Sequence, residues 1–282
     1  MISCKWNGAV QYHAPTDLNE ALALMAASPV AVVAGGTDYF PARRPGKPDR
    51  DILDITRIEG LRGIWQTGSD IRFGAATRWG EIATMDLPQC FDELRQAARS
   101  VGSLQIQNAG TIGGNLCNAS PAADGVPPLL TLDASVELAG PTGIRRLPLS
   151  EFLTGPRQTQ LGAGELLTAL TMPRPPCHAR GVFDKLGSRR YLVISIAMVA
   201  GLIGCDSTGR IDVARIAVGA CSPVARRLTA LEQDLLGFFP GEVDITETHL
   251  SPLTPIADVR GSAEFRLEAV AEQIRRIVRG AA

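Results

Sequence analysis

The sequence predicts an α+β chain in two parts. Three observations carry this. Residues 1–176 alternate short apolar strands with capped helices, whereas residues 177–282 run three strands together and then two helices. A proline cluster from Pro173 to Cys177 separates the two rhythms, where a strand must stop. Two glycine-rich segments, Ala34–Asp38 and Gly110–Asn115, both fall in the first part.

The elements follow in order. Asp17, with Glu20 three residues on, is a capping-box pattern ahead of the apolar-periodic run "LNEALALMAA". Ala31–Ala34 read as a short buried strand ended by Gly35-Gly36, and Asp51–Ile55 as the next strand. "GIWQTGSDIRFGA" is a hairpin turned by Gly68-Ser69-Asp70. Thr77 is placed as the N-cap of a short helix carrying Trp79 and Ile82. "PQCFDELRQAARSVGS" is a second helix, ended near Gly102. "VPPLLTLDA" is a helix with proline in its first turn, "SVELAGPTGIRRLPL" a hairpin, and "GELLTALTMPRPPC" a strand that runs into prolines.

In the second part, Asp206–Gly209 turn the last two of three strands. Tyr191–Cys205 reads as a buried strand with an adjoining helix turn, too short to span a bilayer. Helices over Val224–Leu236 and Ser262–Val278 close the chain.

Composition excludes several classes. The 282 residues carry a formal net charge of −1 and no long basic run, which disfavours nucleic-acid binding. "ARRPGKPDR", Ala42–Arg50, reads as a solvated loop. The six cysteines form no CxxC pair and the three histidines no HxxxH, against a local iron–sulfur or zinc motif. Reduced, mostly buried thiols are expected. "MISCKWNGAV" lacks the apolar core of a signal peptide, so the expected location is the cytoplasm.

Function rests on the two glycine segments. Each offers successive backbone N–H groups with no Cβ in the way, the makings of a nest for phosphate oxygens. Thr37, Thr111 and Asn115 add side-chain hydrogen bonds. Neither segment fits G-x-G-x-x-G or G-x-x-x-x-G-K-[ST], against a Rossmann or P-loop site. A Gly-Gly after a strand is most often only a turn. The second segment, "NAGTIGGNLCNASPAAD", is harder to read that way, because hydrogen-bonding side chains surround its glycines. Asp124 is either a helix N-cap or an acceptor for a ribose or a flavin ring. The residues by themselves reach a dinucleotide-like ligand held through backbone amides.

At "VVAGGTDY", "QNAGTIGGNLCNASPAAD", "FDKLG" and "RGSAEFR" the sequence resembles the flavoprotein (medium) subunit of the molybdenum hydroxylases, the group of xanthine dehydrogenase and carbon monoxide dehydrogenase. The resemblance runs nearly end to end. It implies a two-lobed FAD-binding domain of the vanillyl-alcohol-oxidase (PCMH) type over residues 1–176, with lobes near 1–55 and 56–176. A small C-terminal domain of the carbon monoxide dehydrogenase flavoprotein kind would follow over 177–282.

It further implies non-covalent FAD bound by Val32, Val33, Ala34, Gly35, Gly36, Thr37, Asp38 and Tyr39 in the first segment. Thr111, Ile112, Gly113, Gly114 and Asn115 would bind it in the second, with Val101, Asn118, Asp124, Leu167 and Lys185 along the cofactor and Tyr191 a candidate beside the ring. Tyr39 stands where an aliphatic residue is more usual, and Gln107 where a basic one is frequent. No catalytic residue and no metal ligand is implied. Molybdopterin and 2Fe–2S clusters belong to a large and a small partner subunit. FAD would pass their electrons to NAD, a quinone or oxygen. The alternative is a stand-alone flavin oxidase or reductase on the same fold, for which Cys117 keeps covalent attachment open. A scaffold protein that has lost its flavin is a third reading, opposed by the intact glycine pairs and Asp124.

Overall fold

A computed structural model describes residues 4–5, 10–43, 50–189 and 193–281. The chain opens with β1 (Cys4–Lys5), β2 (Gln11–His13), α1 (Leu18–Ala27), β3 (Val30–Val33) and β4 (Asp51–Asp54). They form a small sheet of order β1-β2-β4-β3, in which β4 runs parallel to both β2 and β3. Asp17 caps α1, accepting from the N–H groups of Asn19 and Glu20, so two of the helix's orphan donors are satisfied. The helix packs Ala21 against Leu53 and Ile55. The strand after it is not the buried one expected. β3 lies at the sheet edge, and Val32 stays 38 % exposed.

The next elements are β5 (Ile64–Thr67), β6 (Asp70–Gly74), α2 (Trp79–Thr84), α3 (Asp92–Ser100), α4 (Leu104–Ala109), α5 (Ile112–Asn118) and α6 (Val126–Thr131). After them come β7 (Ser135–Gly140), β8 (Gly143–Pro148), α7 (Leu149–Phe152), β9 (Leu153–Gly155), β10 (Gln158–Thr159) and β11 (Leu166–Pro173). An antiparallel sheet of order β5-β6-β11-β7-β8 covers the largest core, built on Phe73, Trp79, Phe91 and Phe152.

Two expectations are corrected in this region. Arg78, not Thr77, is the N-cap of α2, and the Glu81 side chain accepts from its N–H at 3.0 Å. Thr77 instead exchanges hydrogen bonds with the Gly63 backbone at 3.0 and 2.9 Å. The second glycine segment is not an extended loop. It is the junction of α4 with α5, and its glycines Gly113 and Gly114 lie inside the first turn of α5.

The C-terminal sheet is β12 (Arg180–Leu186), β13 (Ala197–Cys205), β14 (Ile211–Gly219) and β15 (Arg226–Arg227), antiparallel in that order. The helices α8 (Thr229–Leu235), α9 (Glu247–Leu250) and α10 (Ala263–Arg279) complete it. Val224–Leu236 is therefore only partly helical, because Arg226 and Arg227 pair with Val218 and Ala217 as a strand. The residues described ahead of β13 make no helix turn, and Tyr191 lies outside the described residues, as does most of "ARRPGKPDR". The sheet rests on the first part through α6, all six of whose residues are buried. It also rests on α3, where the Gln96 side chain accepts from Phe183 N–H at 2.9 Å.

Among the described residues no helix is long and apolar enough to cross a membrane, and no cluster of His, Cys, Asp and Glu could hold a metal ion. Cys90 and Cys221 are buried as expected, but Cys117 and Cys177 are exposed.

One ionic network ties the large sheet across its strands. Glu137 on β7 accepts from Arg72 on β6 at 2.9 Å, Arg146 on β8 at 2.7 Å and Thr168 on β11 at 3.0 Å. Burial pushes its carboxyl up, but these donors outweigh burial and hold it below the usual glutamate range. A group whose pKa is depressed on folding stabilises above its unfolded pKa, about 4.3, and loses that contribution as pH falls through the folded value. Glu137→Gln is therefore expected to cost about 1–3 kcal/mol at pH 7. The difference from the parent should shrink below about pH 4 in urea titrations across pH.

Candidate functional site

β3 ends at the sheet edge and its chain must turn sharply away. Gly36 makes the turn with φ of +69°, a left-handed conformation that suits glycine. Gly35 has a different constraint. A Cβ there would lie 1.9 Å from the carbonyl oxygen of Ala109, at the end of α4. A Cβ on Gly110 would lie 3.5 Å from Thr37 Oγ1. The two glycine segments therefore touch backbone to backbone, although about 75 residues separate them in the chain.

A cavity of about 470 Å³ opens beside this contact. Val32, Val33, Ala34, Gly35, Gly36, Thr37, Asp38 and Tyr39 form one wall. Thr111, Gly114, Asn115 and Asn118 from the α4–α5 region form the other, and Val101 contributes from the end of α3.

The two walls differ in their free donors. Among the described residues, the backbone N–H groups of Gly36, Thr37, Asp38 and Tyr39 meet no protein acceptor. The amides of α5 are all engaged. Ile112 N–H donates to Thr77 O at 3.0 Å, Gly113 to Ala75 O at 2.8 Å and Asn115 to Thr111 O at 3.0 Å. Gly114 N–H donates to the capping Thr111 Oγ1 at 3.1 Å. The expected pair of nests is thus corrected: only the first segment leaves its amides without protein acceptors. The second segment contributes side chains. Asn115 Oδ1 is buried with no hydrogen-bond donor among the described residues. A buried acceptor left unpaired costs about 1–3 kcal/mol, and this oxygen is packed on the Gly125 side of the wall, where a Gly125 Cβ would lie 3.3 Å from it.

A dinucleotide cofactor fits these groups. Free amides suit phosphate oxygens, the carboxamides of Asn115 and Asn118 add polar groups to the wall, and glycine keeps Cβ atoms out of the cradle.

Five expected residues do not line the cavity. Ile112 and Gly113 are turned inward against the main core and Ala75, and Leu167 is buried in that core on β11. Asp124 and Lys185 bind each other at 2.6 Å. Ser195 Oγ also donates to Asp124 at 2.6 Å, and Lys185 Nζ to the Ser100 carbonyl at 3.2 Å. Burial pushes the Asp124 carboxyl up, and Lys185 and Ser195 only partly offset it. Ser100 precedes Val101, so this pair stands one residue behind the cavity wall and joins β12 to the first part.

Sequence reasoning missed Trp79, Ile106 and Arg43, which also line the cavity. The sequence places Trp79 only on the short helix after Thr77, and it is 1 % exposed. Arg43 read as part of a solvated basic loop. Its guanidinium lies over the Tyr39 ring at 5.0 Å and donates to the Tyr39 hydroxyl. The spacing of four residues from Tyr39 was the available signal. The departure at Tyr39 thus gives Arg43 a partner. Gln107 donates to Arg99 O at 3.0 Å and ties α4 to α3.

Two family models match the chain. Residues 8–175 match the FAD binding domain in molybdopterin dehydrogenase, and residues 184–281 the CO dehydrogenase flavoprotein C-terminal domain. The xanthine dehydrogenase FAD-binding subunit of Escherichia coli O157:H7 is 32 % identical over 282 residues, covering 95 % of this chain and 94 % of its own. Carbon monoxide dehydrogenase from Hydrogenophaga pseudoflava, solved without the Mo-pyranopterin moiety of its cofactor, superposes with a TM-score of 0.84 at 28 % identity, covering 98 % of this chain and 96 % of that one. Quinoline 2-oxidoreductase from Pseudomonas putida 86 superposes with a TM-score of 0.86 at 26 % identity, covering 98 % and 99 %.

The buried pair behind the wall gives a direct test. Lys185→Met leaves Asp124 buried without its cation and is expected to lower unfolding free energy by about 3 kcal/mol in urea titrations. The double variant Lys185→Met with Asp124→Asn should recover part of that loss, because no charge is left unpaired.

Proposed function

Because this chain belongs to the family of FAD-binding domains in molybdopterin dehydrogenases, we propose that it is the FAD-binding electron-transfer subunit of a multisubunit molybdenum hydroxylase. The observation that carries the site assignment is the run of amides from Gly36 to Tyr39 without protein acceptors, on residues that line one cavity with Asn115 and Asn118. Bound FAD supplies redox chemistry in one- and two-electron steps, which suits a chain standing between 2Fe–2S clusters and a terminal acceptor such as NAD, a quinone or oxygen.

The chain's own residues bind and shelter that cofactor. The amides of Gly36, Thr37, Asp38 and Tyr39 hold the diphosphate, with the Thr37 hydroxyl beside them. Gly35 keeps the nest against Ala109, so the donors are arranged before binding. Val32, Val33, Ala34 and Val101 give apolar wall that excludes water. Thr111 and Gly114 shape the opposite wall, while Asn115 and Asn118 present carboxamides to it. Ile112, Gly113 and Leu167 act from beneath, by fixing α5 on the core. Asp124 and Lys185 act from behind, through Ser100 and Val101.

The 2Fe–2S clusters and the molybdopterin sit on a small and a large partner subunit, and the assembly works in the cytoplasm. The relatives fit this division of labour in size as well, since the chain spans nearly their whole length.

Visible absorption of the purified chain, before and after acid precipitation, tests the reading. Flavin bands released to the supernatant are expected, as non-covalent FAD requires. Gly35→Ala should lose at least about tenfold in FAD affinity, since the new methyl must part the two segments. No flavin after incubation with excess FAD, or full binding by Gly35→Ala, would contradict the assignment.

A further inference from the structure

The hairpin of β9 and β10 lies outside every motif that pointed to the cofactor, yet its tip reaches the cavity wall. Arg157, at that tip, has φ of +60°, and Ala119, the C-cap of α5, has φ of +45°. Neither is glycine, and each holds a left-handed conformation that side chains disfavour. The two are joined directly, Arg157 N–H donating to Ala119 O at 2.8 Å. From this position Arg157 Nη1 donates to the Asn118 carbonyl at 3.1 Å and to Asn118 Oδ1. Asn118 is a cavity-lining residue.

The polarity of this contact has a chemical consequence. A guanidinium has donors only, so the end of the Asn118 carboxamide that faces it must be the oxygen. The amide cannot flip without setting N–H against N–H. Among the described residues, Asn118 Nδ2 has no protein acceptor. Its NH₂ is therefore the free end, on a residue that lines the cavity.

We propose that Arg157 is a positioning residue for the cofactor site, fixing the Asn118 carboxamide so that its NH₂ donates to an acceptor atom of FAD. The inference rests on the reading of the cavity as an FAD site. It assigns Arg157 no contact with the cofactor and accounts for two strained residues at one point of the wall. It also separates the two asparagines by role. Asn115 keeps its carboxamide oxygen buried in the wall, and Asn118 offers the cavity a donor.

The test uses the full chain, stripped of flavin and titrated with FAD by quenching of flavin fluorescence, alongside thermal unfolding. N118D keeps an oxygen for Arg157 but turns a second oxygen toward the cavity in place of NH₂. R157G removes the guanidinium at a position whose φ suits glycine, so the backbone is not strained by the change. N118D is expected to weaken FAD binding by about tenfold or more with an unchanged melting midpoint. R157G should weaken it by a smaller factor, because the freed amide still points correctly part of the time. Wild-type affinity in N118D, or lowered stability in both variants with unchanged affinity of the folded protein, would overturn the inference and leave the FAD reading standing. No FAD binding by the parent chain would overturn both.

Discussion

The structure depends on one close contact, that of Gly35 with the Ala109 carbonyl. It brings the turn after an edge strand of the small sheet against the end of a helix from the larger unit. A single methyl group at this point would need space that is already filled by backbone. The contact therefore sets the distance between the two walls of the cavity. It also leaves the N–H groups just beyond it, from Gly36 to Tyr39, without protein partners. The first wall is a set of donors held open, and the second is a folded helix that presents side chains.

The core explains why the second wall does not move. α5 is pinned by its own first-turn amides to Ala75 and Thr77, and Ile112 and Leu116 are fully buried beneath it. α6 follows with all six residues buried, its apolar ones in the core under the large sheet and Thr131 donating to Glu93 at 2.7 Å, and the C-terminal sheet packs on it. The Asp124–Lys185 pair closes the same region from the C-terminal side. A buried pair of this kind adds little net stability, but it fixes how β12 seats against the residues before Val101.

Much of this was legible in the sequence, for physical reasons. Asp17 caps its helix because a short oxygen-bearing side chain before an apolar-periodic run has few other uses. The hairpins were visible from alternation about Gly68 and Gly140–Gly143. The long motif around Asn115 pointed to a cofactor, and most of the residues it named line one cavity. What was hidden is tertiary. Glycines inside a helix turn look the same in sequence as glycines in a loop, so Gly113 and Gly114 suggested a nest where α5 already uses their amides. Arg226 and Arg227 look helical beside "LTALEQDLL", but the open edge of β14 captured them. Arg43 and Trp79 carry no motif, and only the fold brings them to the cavity.

In the proposed site one wall donates backbone hydrogen bonds to the cofactor and the other does not. Amide hydrogen exchange with and without saturating FAD measures this directly. The proposed site predicts new protection at Gly36 to Tyr39, whose N–H groups meet no protein acceptor. It predicts little change at Ile112 to Asn115, whose N–H groups are already bonded. Protection gained over Ile112 to Asn115 with none at Gly36 to Tyr39 would contradict it.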